Sequence, residues 1–141
     1  MAVELDRDRC PVWRSQPSIV ILLDTNALIW LEQRNPRALR LTARQTRLYL
    51  SPASVLELQF LLEAGRIRLR ANGVSDVVSR GPWLLDDPSA AEWFERALEL
   101  GRVRDPFDRL LAAHALYRGW RLASADTTLL GILPERLRLE I

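Results

Sequence analysis

The apolar run from Ile19 to Leu23 is short, rich in β-branched residues, and stops abruptly at Asp24-Thr25-Asn26. A run of that kind predicts a buried strand. The apolar residues that follow, Ala27 to Leu31, show no alternation and suit a helix. Asn35-Pro36 predicts another helix start, with Asn35 as cap and Pro36 in the first turn, where its missing N–H costs nothing. That helix is expected to reach about Arg44. Leu48-Tyr49-Leu50 predicts a second strand, and Ser51-Pro52 the cap and first residue of a helix ending before Gly65.

From Arg66 to Arg70 charge alternates with Ile67 and Leu69, predicting a short exposed extended segment, and a helix is expected around Val74 to Ser79. Asp87-Pro88 precedes an amphipathic helix carrying Ala91, Phe94, Ala97 and Leu98, which stops at Gly101. Asp105-Pro106 repeats the cap-and-proline signal before a helix over Phe107 to Tyr117, closed by Gly119. Leu122-Ala123 predicts a third strand, followed by Asp126, and Leu137 to Ile141 a last one. Strand repeatedly feeding helix implies an α/β fold, a three-layer α/β/α sandwich with a mostly parallel central sheet. Its functional rim is expected at the carboxyl ends of the strands.

Composition narrows this picture. The chain has 141 residues, enough for one domain and little more. Residues 19–141 are expected to form that domain. Residues 1–18, mixed polar and charged and interrupted by Pro11 and Pro17, are expected to be an extension or arm. No apolar stretch approaches the roughly 18 residues that span a bilayer, and the polar N-terminus lacks a signal-peptide pattern, so a cytoplasmic protein without membrane contact is expected. Cys10 is the only cysteine and His114 the only histidine, which leaves carboxylates and hydroxyls to build a catalytic site.

The net charge of +2 is too small to announce a nucleic-acid binder, yet all 20 basic residues are arginines, which suit bidentate phosphate contacts. Arg37, Arg40 and Arg44, with Arg47 beyond, repeat at helical spacing. They form an expected basic stripe, either solvated or in contact with RNA or a partner.

Asp24 alone could be a helix cap. Three further acids alter its meaning. Glu57 follows the second strand and shares a helix flank with Ala53 and Leu61; Asp108 lies in the first turn of its helix ahead of Leu111 and Ala112; Asp126 follows the third strand. Two carboxylates about 4 Å apart repel by roughly 4 kcal/mol at an effective dielectric near 20. A cluster at one rim therefore needs a cation or raised pKa values. Oxygen ligands suit Mg²⁺ or Mn²⁺ better than zinc. Without a GxxxxGK[ST] loop or a GxGxxG turn after the first strand, hydrolysis of a polynucleotide is the stronger reading.

The order LLDTN, SPASVLEL, DPFDRLLAAHAL and LASAD resembles the PIN-domain ribonucleases, most closely the VapC-type toxins of bacterial toxin–antitoxin pairs. The resemblance covers nearly everything after Ile19. It implies a Mg²⁺-dependent endoribonuclease that dimerises and is silenced by a cognate antitoxin protein. At matching positions it implies Asp24, Glu57, Asp108 and Asp126 as catalytic and metal-binding acids, with Thr25, Asn26 and Ser124 as donors that fix them. Two other readings stand beside it. One is a non-catalytic module holding RNA or an antitoxin. The other is a phosphohydrolase with Asp24 as nucleophile, disfavoured because Asn26 replaces the second aspartate such enzymes use. His114, deep in its helix, is expected to pack or meet a partner copy rather than act as a base, and most of the tryptophans are expected in the core or at contacts.

Overall fold

A computed structural model describes residues 19–43 and 45–141. The arm expected over residues 1–18, and Arg44, lie outside the described residues. Five strands form one sheet: β1 (Ile19–Leu23), β2 (Thr46–Leu50), β3 (Trp83–Leu85), β4 (Arg121–Ser124) and β5 (Arg138–Glu140). Their order is β3-β2-β1-β4-β5, and every pairing is parallel. The helices are α1 (Thr25–Glu32), α2 (Pro36–Leu39), α3 (Pro52–Glu63), α4 (Val74–Arg80), α5 (Ala90–Leu98), α6 (Pro106–Arg118) and α7 (Thr127–Leu130).

Alternation along the central strands sorts the core into two faces. Ile21 and Leu23 of β1, with Leu48 and Leu50 of β2, bury against α1, α3 and α4 through Leu28, Leu58 and Val77. Leu22 and Leu122 turn the other way, toward Ala112 and Ala115 of α6 and Leu129 and Leu130 of α7. Helix α5 packs outside α6, with Trp93 and Ala97 against Ala113. The sheet thus lies between helical layers, as the strand–helix alternation predicts.

Three details depart from the sequence reading. Helix α2 ends at Leu39 and tightens into a 3-10 turn over Arg40–Thr42, well short of Arg44. There the Thr42 hydroxyl donates to Leu39 O, and the Thr46 hydroxyl donates to Leu41 O and Ala43 O, so local side-chain bonds replace further helix. Residues 66–70 form no strand; they are tied to α1 by the Gln33 amide donating to Arg68 O, next to Ala71 N donating to Glu32 Oε2. Strand β3 was not foreseen. It is three residues long and only Trp83 is buried, so it carries no period to detect.

The first crossover leads from β1 to β2, and later ones carry the chain on to β3 and then back across β1 to β4. Between β1 and β4 the sheet therefore has a topological switch point, where open α/β folds bind ligands.

Candidate active site

Asp24 follows β1 and Asp126 follows β4, so the two acids straddle that switch point. Asp24 N donates to Ala123 O, which fixes the end of β1 beside β4. A cleft of about 170 Å³ opens there, lined by Asp24, Thr25, Asn26, Glu57, Asp108 and Asp126, with Leu61 and Leu129 as its apolar walls. All four acids singled out from the sequence face this one cleft.

The local folding of each acid leaves an oxygen for the cleft. Asp24 caps α1, its Oδ1 accepting from Ala27 N at 2.7 Å. Asp126 caps α7, its Oδ1 accepting from Thr128 N at 3.0 Å and Leu129 N at 3.1 Å. In both, Oδ2 takes no part in the cap. Asp108 is held by backbone: Asp105 caps α6 through Phe107 N and Asp108 N and puts Asp108 in the first turn, carboxylate toward the cleft.

Glu57 comes from α3. Its Oε1 accepts a 2.5 Å hydrogen bond from the Thr25 hydroxyl, which also lies 3.2 Å from Ser54 Oγ. Thr25 has one hydroxyl proton; with that given to Glu57, Ser54 must be the donor of its own pair. Ser54 and Thr25 are both buried. Ser124, also buried, accepts from Asp126 N at 2.9 Å and stands beside the Asp24 carboxyl, which it helps keep ionised. Asn26 is exposed at the cleft mouth.

The electrostatics follow from this packing. Burial pushes Asp24 up to about 6, with the Glu57 and Asp126 charges adding to it against the Ser124 and Ala27 bonds. Asp108 is also raised to about 6, by burial first and then by the charges of Asp105, Glu57, Asp126 and Asp24. Glu57 is raised by burial, opposed by the Thr25 hydrogen bond. Burial first, with repulsion among the acids adding to it, thus raises Asp24, Asp108 and Glu57. Among the described residues no three His, Cys, Asp or Glu side chains are already closed into a metal cage. The donors are all oxygen and suit a hard divalent cation.

The other sequence expectations separate here. Arg47 lies on β2, so the stripe does not extend along one helix. Arg37 donates to Ile141 O and stacks over Trp30, and Arg40 donates to Glu140 O, so both tie α2 to the end of β5. Trp83 and Trp93 are buried, their indole N–H groups donating to Val77 O and Leu110 O. His114 is buried with its Nε2 2.7 Å from Asp86 Oδ2, and Arg118 grips both oxygens of the same carboxylate. Burial alone would raise Asp86, but the Arg118 and His114 bonds outweigh it and hold it low; burial also lowers His114, against the pull of Asp86. This cluster is a brace between the end of β3 and α6. Sequence reasoning missed Asp86 in it, along with Ser54 behind Thr25.

A profile of the PIN domain family matches residues 21–131. No curated relative of significant sequence similarity is found. Among solved structures, the chain resembles one in VapBC2 from Rickettsia felis bound to a promoter DNA fragment, at 18% identity and a TM-score of 0.59 over 86% of this chain and 98% of that one. It also resembles one in VapBC-1 from nontypeable Haemophilus influenzae, at 20% identity and a TM-score of 0.58 over 86% and 98%. At these identities the likeness is one of fold. No helix among the described residues is long and apolar enough to cross a membrane.

Proposed function

The chain belongs to the PIN domain family, and from that premise we propose that it is a metal-dependent endoribonuclease that hydrolyses RNA phosphodiester bonds as the toxin of a type II toxin–antitoxin pair. The observation that carries this reading is the convergence of Asp24, Glu57, Asp108 and Asp126 on one cleft at the switch point of the sheet. Four carboxylates repel a phosphate, so a polynucleotide can enter only if their charge is offset. A divalent cation held by these acids, Mg²⁺ or in its place Mn²⁺, would supply that positive charge and polarise the scissile phosphodiester.

The chain's own groups do the rest. Glu57, turned by Thr25 through one oxygen, uses the other to orient the attacking water and take up its proton. Asp24 and Asp108, half to fully enclosed, form the inner wall; Asp126 forms the outer one. Leu61 and Leu129 exclude water from the flanks. Thr25, Asn26 and Ser124 position the carboxylates. The cytoplasm is where the substrate would be met.

The partner part of the proposal has its own support. The solved relatives are VapBC complexes, and this chain exposes apolar side chains in two places. Leu56 and Phe60 stand beside Glu57 on α3. Phe94 and Leu98 of α5 border an apolar groove of about 470 Å³ shared with α6. Such surface suits a cognate antitoxin and a second copy of this chain.

The mapping of RNA ends after brief expression tests the function. New ends at defined positions, absent with Asp24→Asn, are expected; the same RNA pattern with parent and variant contradicts the proposal. A non-catalytic module that holds RNA or antitoxin is the second reading. It predicts RNA binding unchanged by EDTA and no cut product.

A further inference from the structure

A second cleft, of about 550 Å³, lies on the far side of α7 from the acids. Leu129 of α7 faces the acid cleft, whereas Thr127 and Thr128 face this one, so the two clefts share α7 as a wall. The opposite wall is the connection between α5 and α6, which brings Glu99, Leu100 and Arg102 to the cleft, and Ile132 closes its floor. Its size falls in the usual range for pre-formed ligand sites, about 300–1,000 Å³.

Both walls are held in place. Arg109 donates to Val103 O at 2.8 Å, Val103 N donates to Leu100 O at 3.0 Å and Leu100 N to Ala97 O at 3.2 Å, which fixes the loop. Asp126 fixes α7 through its cap. Glu99 and Arg102, in contrast, are paired neither with each other nor with another charge among the described residues. Two opposite charges thus line one preformed cleft, their donors and acceptors unspent on any charged partner among the described residues.

We propose that this cleft is a guanine-selective subsite for the nucleotide flanking the scissile phosphate. The proposal rests on the ribonuclease reading of the neighbouring acids. Among the bases, guanine alone offers two adjacent donors on one edge, N1–H and the 2-amino group, and two adjacent acceptors, O6 and N7, on another. A carboxylate accepts from the first pair and a guanidinium donates to the second. Adenine and cytosine bring one exocyclic donor beside ring acceptors, and uracil a single N–H between two carbonyls, so neither edge is matched by Glu99 and Arg102 together. Leu100 and Ile132 supply apolar surface for the base, and the Thr127 and Thr128 hydroxyls can bond a ribose 2′-OH. RNA read in this way is single-stranded, its base splayed out of any stack.

The test is single-turnover cleavage, in Mg²⁺, of short single-stranded RNAs that differ only in the base flanking the cut. Guanine is expected to be preferred over adenine about tenfold or more, with inosine, which lacks the 2-amino group, in between. Glu99→Gln replaces one acceptor by an NH₂ that opposes the guanine amino group, and Arg102→Lys removes the fork; each should draw the preference toward unity with the parent's melting temperature retained. Equal cleavage of all four bases, or a preference unchanged in both variants, overturns the proposal. If the parent cuts no RNA in Mg²⁺ or Mn²⁺, the ribonuclease reading has failed, and equilibrium binding of guanosine and adenosine 5′-monophosphates decides the subsite. Tighter guanosine binding that Glu99→Gln abolishes sustains it; equal or absent binding overturns it.

Discussion

Thr25 and Glu57 belong to different helices, yet the threonine hydroxyl donates to Glu57 Oε1 at 2.5 Å. Thr25 is the first residue of α1, one place after Asp24, so a single bond sets α3's acid in register with α1's. Replacing Thr25 by Val keeps the shape and removes the donor. RNA cleavage should fall about 10- to 100-fold, as when a ligand loses its orienting partner. Stability should drop by only about 1 kcal/mol. Thr25→Ser should recover most of the rate. An unchanged rate in Thr25→Val means that Glu57 needs no such guide.

Asp24 makes a prediction in pH. Its carboxyl is raised from the ordinary range to about 6, chiefly by burial. A carboxyl raised on folding contributes stability that is fully present below about pH 4, its unfolded value, and is lost as pH rises through about 6. Asparagine caps a helix as well as aspartate and never ionises. In EDTA, Asp24→Asn should therefore gain on the parent between pH 4 and pH 7.5, by about 2–3 kcal/mol as an order of magnitude. Denaturant melts of both proteins at the two pH values measure this. A difference independent of pH would show that Asp24 ionises freely.

The sequence leaves Arg37 and Arg40 either solvated or in contact with RNA or a partner, and their bonds to Ile141 O and Glu140 O set a third role. Arg40→Ala is expected to cost about 1 kcal/mol by freeing the end of β5. The salt dependence of RNA binding should stay as it was. A flatter salt slope with an unchanged melt would return Arg40 to the RNA surface.

What could be read in the sequence was whatever had a local cause. Ile21–Leu23 are apolar because the end of β1 is covered on both faces, and Asn35-Pro36, Ser51-Pro52 and Asp105-Pro106 mark helix starts because a cap and a proline act within one turn. The acids were legible for the same reason, since Asp24, Asp108 and Asp126 each sit at a strand end or in a first helical turn. What escaped depends on distant pairing. Strand β3 exists because Leu48 to Leu50 offer it an edge. Asp86 draws its partners from α6, 28 and 32 residues away. The early end of α2 depends on Thr46, across a turn from Leu41. Whether the carboxylates form a closed cage is a question of side-chain geometry that motif spacing does not contain.

The clustered acids make their own prediction. Mg²⁺ or Mn²⁺ at millimolar concentration should raise the melting temperature of the parent, because a cation relieves carboxylate repulsion in the folded state and binds the unfolded chain poorly. Asp108→Asn should abolish the rise. No shift in the parent would mean that the acids hold no cation on their own.

The central claim is that the acid cleft cuts RNA with the help of a cation, and the cleavage rate of one defined single-stranded RNA by purified parent and Asp108→Asn tests it most directly. The parent should cut in Mg²⁺ and stop in EDTA, and Asp108→Asn, still folded by circular dichroism, should be slower by 100-fold or more, the scale on which a group acting on the transition state is felt. Equal rates for the two proteins, or cleavage that continues in EDTA, would contradict it.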